Sequence, residues 1–242
     1  MNVYNSAAIV TGASSGIGLA VSRLLAQRGA KVALVSRSKE KLEGISKSLP
    51  DSFAIVADMT KERDVRKMVE MTKDRFGRID ILINSAGQGY DAPVEKINID
   101  TFRHVFDVDV VGPLIAMQQV IPLMKGQGGG TIVNISSGTA LMYLPNMGAY
   151  SSLKRALAAI SLTAREELKS ANINVSVMYP YITLTDFEKN TIKDVVESDE
   201  WHEGGPPFPP DTAEYVAEKL LEGMASGEAE IFAHDWMKKM IR

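Results

Sequence analysis

Seven short apolar runs, rich in β-branched residues, punctuate this chain, and most are separated by enough residues for a helix. They are Ala7–Val10, Lys31–Val35, Phe53–Ala57, Ile79–Asn84, Thr131–Ile135 and Asn174–Met178, with a weaker one at Glu230–Ala233. Between them apolar residues recur every three or four positions. From Thr60 to Gly77, for example, Val65, Met68, Val69, Thr72 and Phe76 share one helical face. Thr60 is placed to cap that helix and Gly77 to end it. Strands that are apolar nearly throughout must be covered on both faces, which indicates a parallel sheet flanked by helices. Crossovers between parallel strands are right-handed almost without exception. The expected fold is therefore α/β: a single Rossmann-type, doubly wound parallel sheet of about seven strands with helices on both faces.

No internal repeat or composition shift marks a second domain, so residues 1–242 read as one unit. The exception is a long connection, Asp186–Asp211, whose residues 203–210 hold two Gly and four Pro. Such ordered insertions are often lids or binding loops. The balance of 27 basic and 30 acidic residues gives a net charge of −3, without the basic excess of a nucleic-acid binder. With no cysteine there is no disulfide framework and no thiolate chemistry. Met1 to Val10 lacks the basic start and long apolar stretch of a signal peptide. No uninterrupted apolar run approaches the ~20 residues of a membrane helix. A cytoplasmic protein acting on small molecules, with neither nucleic acid nor membrane as partner, is expected.

The first strand runs straight into Thr11-Gly12-Ala13-Ser14-Ser15-Gly16-Ile17-Gly18, and a helix follows to about Arg28. Glycines allow a tight turn and close approach to a pyrophosphate, while the helix start offers free N–H groups and a positive dipole end. Its place after the first strand is the context such a turn requires. No G-K-[ST] follows, so the lysine and magnesium ligand of a P-loop are absent.

This turn resembles the cofactor fingerprint of the short-chain dehydrogenase/reductase family. The resemblance runs from about Ser6 to Asp186 and includes Asp58, the stretch Phe76–Gly87, Ser136-Ser137, Tyr150-x-x-x-Lys154 and Pro180 to Thr185. It implies that Gly12, Gly16, Ile17 and Gly18 hold the pyrophosphate and that Asp58, beside the Met59 backbone, meets the adenine amino group. It further implies that Asn84, Ala86 and Gly87 line the adenine ribose side and stabilise the central strand. Pro180 and Thr183 would face the nicotinamide, with Thr185 near its carboxamide or a phosphate. Two positions depart from the family: Ser85 replaces a usual Asn, and Tyr181 replaces the usual Gly after the proline.

NAD selectivity generally uses an acidic residue at the end of the second strand, and an arginine there accommodates a 2′-phosphate. Here that strand ends in Ser36-Arg37, with no carboxylate before Glu40. Arg37 is a forked donor suited to phosphate, and Ser14, Ser15, Ser36 and Ser38 offer hydroxyls. The expected cofactor is NADP.

Tyr150 and Lys154, four apart at the start of a helix, share one face. A free Tyr titrates near ~10; an adjacent ammonium, together with the positive nicotinamide ring of an oxidised cofactor, is expected to favour the phenolate and lower that value toward working pH. Lys154 would also reach the nicotinamide ribose. Ser137, at the carboxyl end of the fifth strand, is where ligands sit in open α/β sheets, and the resemblance implies that it holds the substrate oxygen. Its neighbour Ser136 should point the other way. The family's fourth member is an Asn in V-N-x-x-G, and this chain reads Val108-Asp109-Val110-Val111-Gly112. Asp109 is either part of an altered proton relay or a tolerated isosteric replacement; as a carboxylate it accepts but does not donate.

The three histidines are scattered, with no H-E-x-x-H and no cysteine partners for zinc. His202-Glu203 beside Trp201 reads as lid packing. No G-x-S-x-G elbow suggests a hydrolase. The expected activity is that of an NADP-dependent alcohol dehydrogenase or carbonyl reductase; the rival is an NADP-binding sensor or scaffold without turnover. A nucleotide-sugar epimerase would need more chain after Asp186. The substrate pocket should be formed by Thr139–Met147, Tyr181 and the Asp186–Asp211 insertion, whose Leu141, Met142, Tyr143, Leu144, Met147 and Phe187 suit an apolar or aromatic carbonyl compound. Family members often pair through two long helices, here roughly Ile99–Met124 and Tyr150–Lys169. Leu157, Ile160, Ser161, Ala164 and Leu168 form the expected stripe. The tail Ala229–Trp236 lacks the V-D-G-G strand of many tetramers, so a homodimer is expected.

Overall fold

Strand β1 (Ala7–Thr11) is buried along its whole length. It lies parallel between β2 (Lys31–Ser36) and β4 (Ile81–Asn84). The computed structural model describes residues 3–194 and 208–240. Beyond β2 lies β3 (Ser52–Val56), and beyond β4 come β5 (Gly130–Ile135), β6 (Ile173–Tyr179) and β7 (Glu230–Phe232). The order is therefore β3-β2-β1-β4-β5-β6-β7, all parallel. The chain leaves β1 in one direction and returns past it after β3, so the sheet reverses its winding between β1 and β4. Ligands of such sheets bind at that switch point, beyond the strands' carboxyl ends.

Side chains alternate faces along a strand, and both alternating sets are apolar here. Ala8, Val10, Val32, Leu34, Ile81 and Ile83 meet α1 (Gly16–Gln27), α2 (Lys39–Ser48) and α7 (Ala213–Ser226). Ile9, Ala33, Val35, Leu82 and Ile132 meet α3 (Glu62–Phe76), α5 (Gly112–Gln127) and the end of α6 (Gly148–Leu168). This is the doubly wound sheet expected from the apolar runs.

Three local expectations need correction. Thr60 does not cap α3: Lys61 occupies the cap, and Thr60 instead donates its hydroxyl to Asp58. Gly77 does end α3, at φ 78°. The helix expected at Ile99–Met124 is interrupted. A short α4 (Ile99–Phe106) passes through one π turn, Asp107–Val111, before α5 begins. The stretch Ile99–Gln127 is nonetheless long and apolar enough to cross a membrane, yet nearly half of its most apolar window is buried inside this fold. Finally, Leu157, Ser161, Ala164 and Leu168 of the α6 stripe are buried within the chain itself, leaving Ile160 more open.

Two miniature parallel pairs lie outside the main sheet. Tyr90–Asp91 pairs with Ile192–Lys193, and Thr183–Leu184 with Asp211–Thr212. One strand of each, Ile192–Lys193 and Asp211–Thr212, belongs to a described end of the expected insertion; its centre, with Trp201 and His202, lies outside the described residues.

Candidate active site

At the end of β1 the Thr11 hydroxyl oxygen accepts from the N–H groups of Ser85 (3.0 Å) and Ala86 (3.1 Å), tying the glycine turn to the loop after β4. Gly12 has φ +68°, and a Cβ there would stand 2.9 Å from the Ala86 nitrogen. At Gly18 a Cβ would stand 2.5 Å from the Gly12 carbonyl oxygen. Ser15, in extended conformation at the cap of α1, makes no side-chain cap hydrogen bond, and the first turn carries no acid. The leading N–H groups of α1 thus have neither a side-chain acceptor nor a competing carboxylate, which suits a phosphate anion. Gly16 lies directly under Thr185, whose Cγ2 would be 3.0 Å from a Cβ. Thr185 is thereby brought to the phosphate turn.

Around the adenine side, Asp58 accepts from the Thr60 N–H (3.0 Å) and hydroxyl (2.8 Å). Burial pushes its carboxyl up, but the Thr60 hydrogen bonds with Lys61 and Arg37 outweigh this and hold it below its ordinary value. Arg37 is exposed at the carboxyl end of β2, and the Ser36 hydroxyl accepts from the Ser38 N–H (3.1 Å). Ser14 is half-buried, Ser15 exposed and Met59 buried. Asn84 behaves differently from expectation. Its side chain turns into the sheet, donating to Asn134 (2.7 Å), which donates to Ser161 (2.7 Å). Of its two implied parts, stabilising the central strand is the one its side chain performs.

The catalytic candidates converge beyond the ends of β5 and β4. Ser137 Oγ accepts from the Thr139 N–H (3.2 Å) and hydroxyl (3.0 Å), and its own hydroxyl favours the Tyr150 phenolate. Ser136 points the other way, donating to the Lys154 carbonyl at the start of α6 (2.9 Å). Lys154 Nζ lies 5.5 Å from the Tyr150 ring centroid and donates to the Ile135 carbonyl (3.2 Å). It also pairs with Asp109 Oδ2 at 3.1 Å. Asp109 is 0% exposed, and its Oδ1 accepts from the Gln88 N–H (2.8 Å). The π turn carries the carboxylate into this interior position.

Lys154 favours the Tyr150 phenolate, as expected of an adjacent ammonium, but other groups outweigh it. Burial pushes the phenol above its ordinary value of 10.0, and although Lys154 and Ser137 pull it down, Asp109 and Asp91 push it up again. Burial disfavours the Lys154 ammonium, but the attraction of Asp109 and Tyr150 holds its titration above the ordinary lysine value.

Pro180 is buried and accepts from the Gly138 N–H (2.9 Å), joining the nicotinamide-side loop to the Ser137 loop. Thr183 donates its hydroxyl to the Tyr181 carbonyl (2.8 Å), and Thr185 accepts from the Phe187 N–H (3.2 Å). Phe187 packs 5.7 Å from the Tyr150 ring. Tyr181, expected to line the pocket, packs edge-on against Trp236 at 5.4 Å and donates to the Phe208 carbonyl. The residue replacing the usual glycine has become an anchor for the C-terminal turn.

Sequence reasoning missed three contributors, Gln88, Asp91 and Arg155, and did not foresee that Gly87 borders the Lys154–Asp109 pair. At Gly87 a Cβ would lie 3.2 Å from Lys154 Nζ and 3.5 Å from Asp109 Oδ1, so a side chain there would crowd the pair. Gln88 holds Asp109 through its backbone, so its side-chain type carries no signal. Asp91 reaches Tyr150 through its charge, across a two-residue strand too short to show periodicity. Arg155, adjacent to Lys154, holds the carbonyls of Ala140 and Met142 beneath the Tyr143 ring.

Comparison with known proteins agrees with this geometry. The short chain dehydrogenase family profile matches residues 6–195. An uncharacterized oxidoreductase of Staphylococcus saprophyticus is 32% identical over 196 residues, covering 79% of this chain and 84% of its own. One from Staphylococcus aureus is 35% identical over 175 residues, covering 72% and 76%. A short-chain dehydrogenase of Streptomyces avermitilis superposes with TM-score 0.89 at 24% identity, covering 100% of this chain and 92% of that one. A Brucella melitensis 3-ketoacyl-(acyl-carrier-protein) reductase, solved with NADH, gives 0.86 at 24% identity over 95% and 97%. The sheet order, the capless glycine turn and the Ser137–Tyr150–Lys154 cluster fit what the sequence matches say: this chain is an oxidoreductase of the short-chain dehydrogenase family.

Proposed function

We propose that this protein is an NADP-dependent carbonyl reductase or alcohol dehydrogenase for a small-molecule substrate. The observation that carries the reading is the convergence of Ser137, Tyr150 and Lys154 beyond the carboxyl ends of the strands, beside an anion-ready helix start. When bound, the nicotinamide supplies or accepts the hydride, and the protein contributes binding, orientation and the proton. Ser137 holds the substrate oxygen by hydrogen bond. Tyr150 Oη donates the proton to that oxygen in reduction or removes it in oxidation. Lys154 orients Tyr150 and reaches for the ribose hydroxyls.

NADP rather than NAD is supported by Arg37, by Ser14, Ser15 and Ser36 around it, and by the lack of an acid at the end of β2. Asp58, Met59, Asn84, Ala86 and Gly87 are assigned to the adenosine half. Gly12, Gly16, Ile17 and Gly18 take the pyrophosphate; Pro180, Thr183 and Thr185 take the nicotinamide side. Residues 1–242 are read as one catalytic domain, working in the cytoplasm without nucleic acid or membrane partners. A homodimer is proposed through the groove between α5 and α6, lined by Leu114, Met117, Ile121, Ile160 and Thr163. A light-scattering mass near two chains is expected; a mass near one removes that interface.

The test of function is loss of NADPH absorbance with a panel of aromatic and aliphatic carbonyl compounds. Turnover that exceeds the rate with NADH is expected. Tight NADPH binding with no carbonyl reduced across the panel would favour a sensor or scaffold instead.

A further inference from the structure

The buried Asp109–Lys154 pair has a consequence for the proton held at Tyr150. A lone ammonium 5.5 Å from the phenol ring would act on it as a full positive charge. Here the ammonium has a carboxylate oxygen at 3.1 Å, in a site where Lys154 is 4% and Asp109 0% exposed. Two opposite charges so close act at a distance as a dipole, whose field falls faster than that of either charge alone. The carboxylate is also fixed. Its other oxygen is held by the Gln88 N–H at 2.8 Å, and the π turn at Asp107–Val111 supplies its direction. Gly87 leaves the space in which the pair forms.

We propose that Asp109 is a positioning residue that, by pairing with Lys154, offsets part of the ammonium's field at Tyr150 and so favours the protonated phenol, leaving the site poised for reduction at neutral pH. The proposal rests on Tyr150 being the acid/base of the reaction. In the reducing direction the carbonyl carbon receives the hydride from the reduced nicotinamide. The carbonyl oxygen takes the Tyr150 proton, giving the alcohol, and the phenolate regains a proton from water. The reverse reaction needs the phenolate first, so oxidation rises with pH while reduction is already at its plateau near neutrality.

The elements around the phenol act in both senses, Lys154 and Ser137 favouring the phenolate and Asp109 and Asp91 the protonated form. From α6 comes Lys154, the cation, already paired. From the π turn comes Asp109, and from the short strand Tyr90–Asp91 comes a second carboxylate, Asp91, whose negative charge also favours the protonated phenol. The loop after β5 offers the Ser137 hydroxyl, and the loop before Ile192 offers the apolar ring of Phe187. Among the described residues these are the charged and polar groups that act on Tyr150.

The test is titration of the cofactor-free full-length chain labelled with 13Cζ-tyrosine, the Tyr150 resonance being identified by its loss in Tyr150→Phe. In the unmutated protein that resonance stays protonated at about pH 10. In Asp109→Asn, isosteric and neutral, its midpoint should fall by about one pH unit or more. Asp109→Ser, smaller and equally neutral, should fall likewise and covers a folding failure of the first variant. In a Lys154→Met background the same Asp109→Asn change should produce no fall, because without its partner the buried Asp109 carboxyl takes up a proton and has no charge left to remove. Midpoints that stay within a few tenths of a unit in both neutral variants overturn the proposal, as does an equal fall without Lys154. A midpoint that moves in a protein reducing no carbonyl leaves this inference standing and removes the proposed activity; turnover with an unmoved midpoint does the reverse.

Discussion

The two sides of the cleft are held together by different forces. On the nucleotide side, from Thr11 to Gly18 with the loop after β4, the fit is backbone against backbone. A Cβ at Gly18 would meet the Gly12 carbonyl oxygen at 2.5 Å, and one at Gly12 would meet the Ala86 nitrogen at 2.9 Å. On the substrate side the contacts are between side chains. Tyr181 leans on Trp236, Phe208 stacks on Trp236 at 5.1 Å, and Tyr143, 82% exposed, lies over Arg155. Close-packed backbone tolerates almost no change, whereas exposed rings can be exchanged at little cost to the fold. The first side is thereby fixed for one ligand class, and the second is free to vary with the substrate.

Four substitutions would sharpen or break this contrast. The largest effect belongs to the seam between the two sides. Tyr150→Phe should lose about 10²–10⁴-fold in kcat while keeping NADPH affinity, since only the proton transfer is removed. Fluorescence titration beside the rate assay separates the two, and a variant within a few-fold of full activity would remove Tyr150 from its role. Next is Gly18→Ala, expected to cost about 1–3 kcal/mol in urea unfolding of the cofactor-free protein because the added methyl has nowhere to go. An unchanged midpoint would mean that the turn yields more readily than its contacts suggest.

Arg37→Asp, also on the nucleotide side, should act on selectivity rather than on the fold. The ratio of NADH to NADPH dissociation constants should drop by about tenfold or more as a charge-assisted contact becomes a repulsion. Tighter NADH binding by the unmutated protein would sink the NADP assignment outright. Smallest is Tyr143→Ala, which should change stability by less than about 0.5 kcal/mol and shift KM for aromatic carbonyls more than kcat. A large loss of stability there would erase the distinction between the two sides.

Most of the fold and half of the site could be read from the residues alone. The apolar runs place the strands to within two residues because a strand buried on both faces has no other composition open to it. The glycine turn and the Tyr150/Lys154 pair are legible because each depends on local chain geometry, a strand-to-helix turn in one case and a four-residue helical spacing in the other. Thr60 was misread because its hydroxyl had two candidate partners, and Asp58 prevailed over the helix end.

What the sequence by itself determined is thus whatever a few consecutive residues decide: strand, helix, turn and the chemical type of each side chain. The tertiary structure alone decided which of those groups meet. Asp109 could have been a neutral stand-in for an amide. The π turn and the Gln88 N–H instead aim it at Lys154, 45 residues further along the chain, at a distance of 3.1 Å. The sense in which Tyr150 titrates followed from that meeting, because a buried charge acts through its distance to other charges and the little water between them. Tyr181 likewise could not declare whether it faced the substrate or the tail until Trp236 was folded against it.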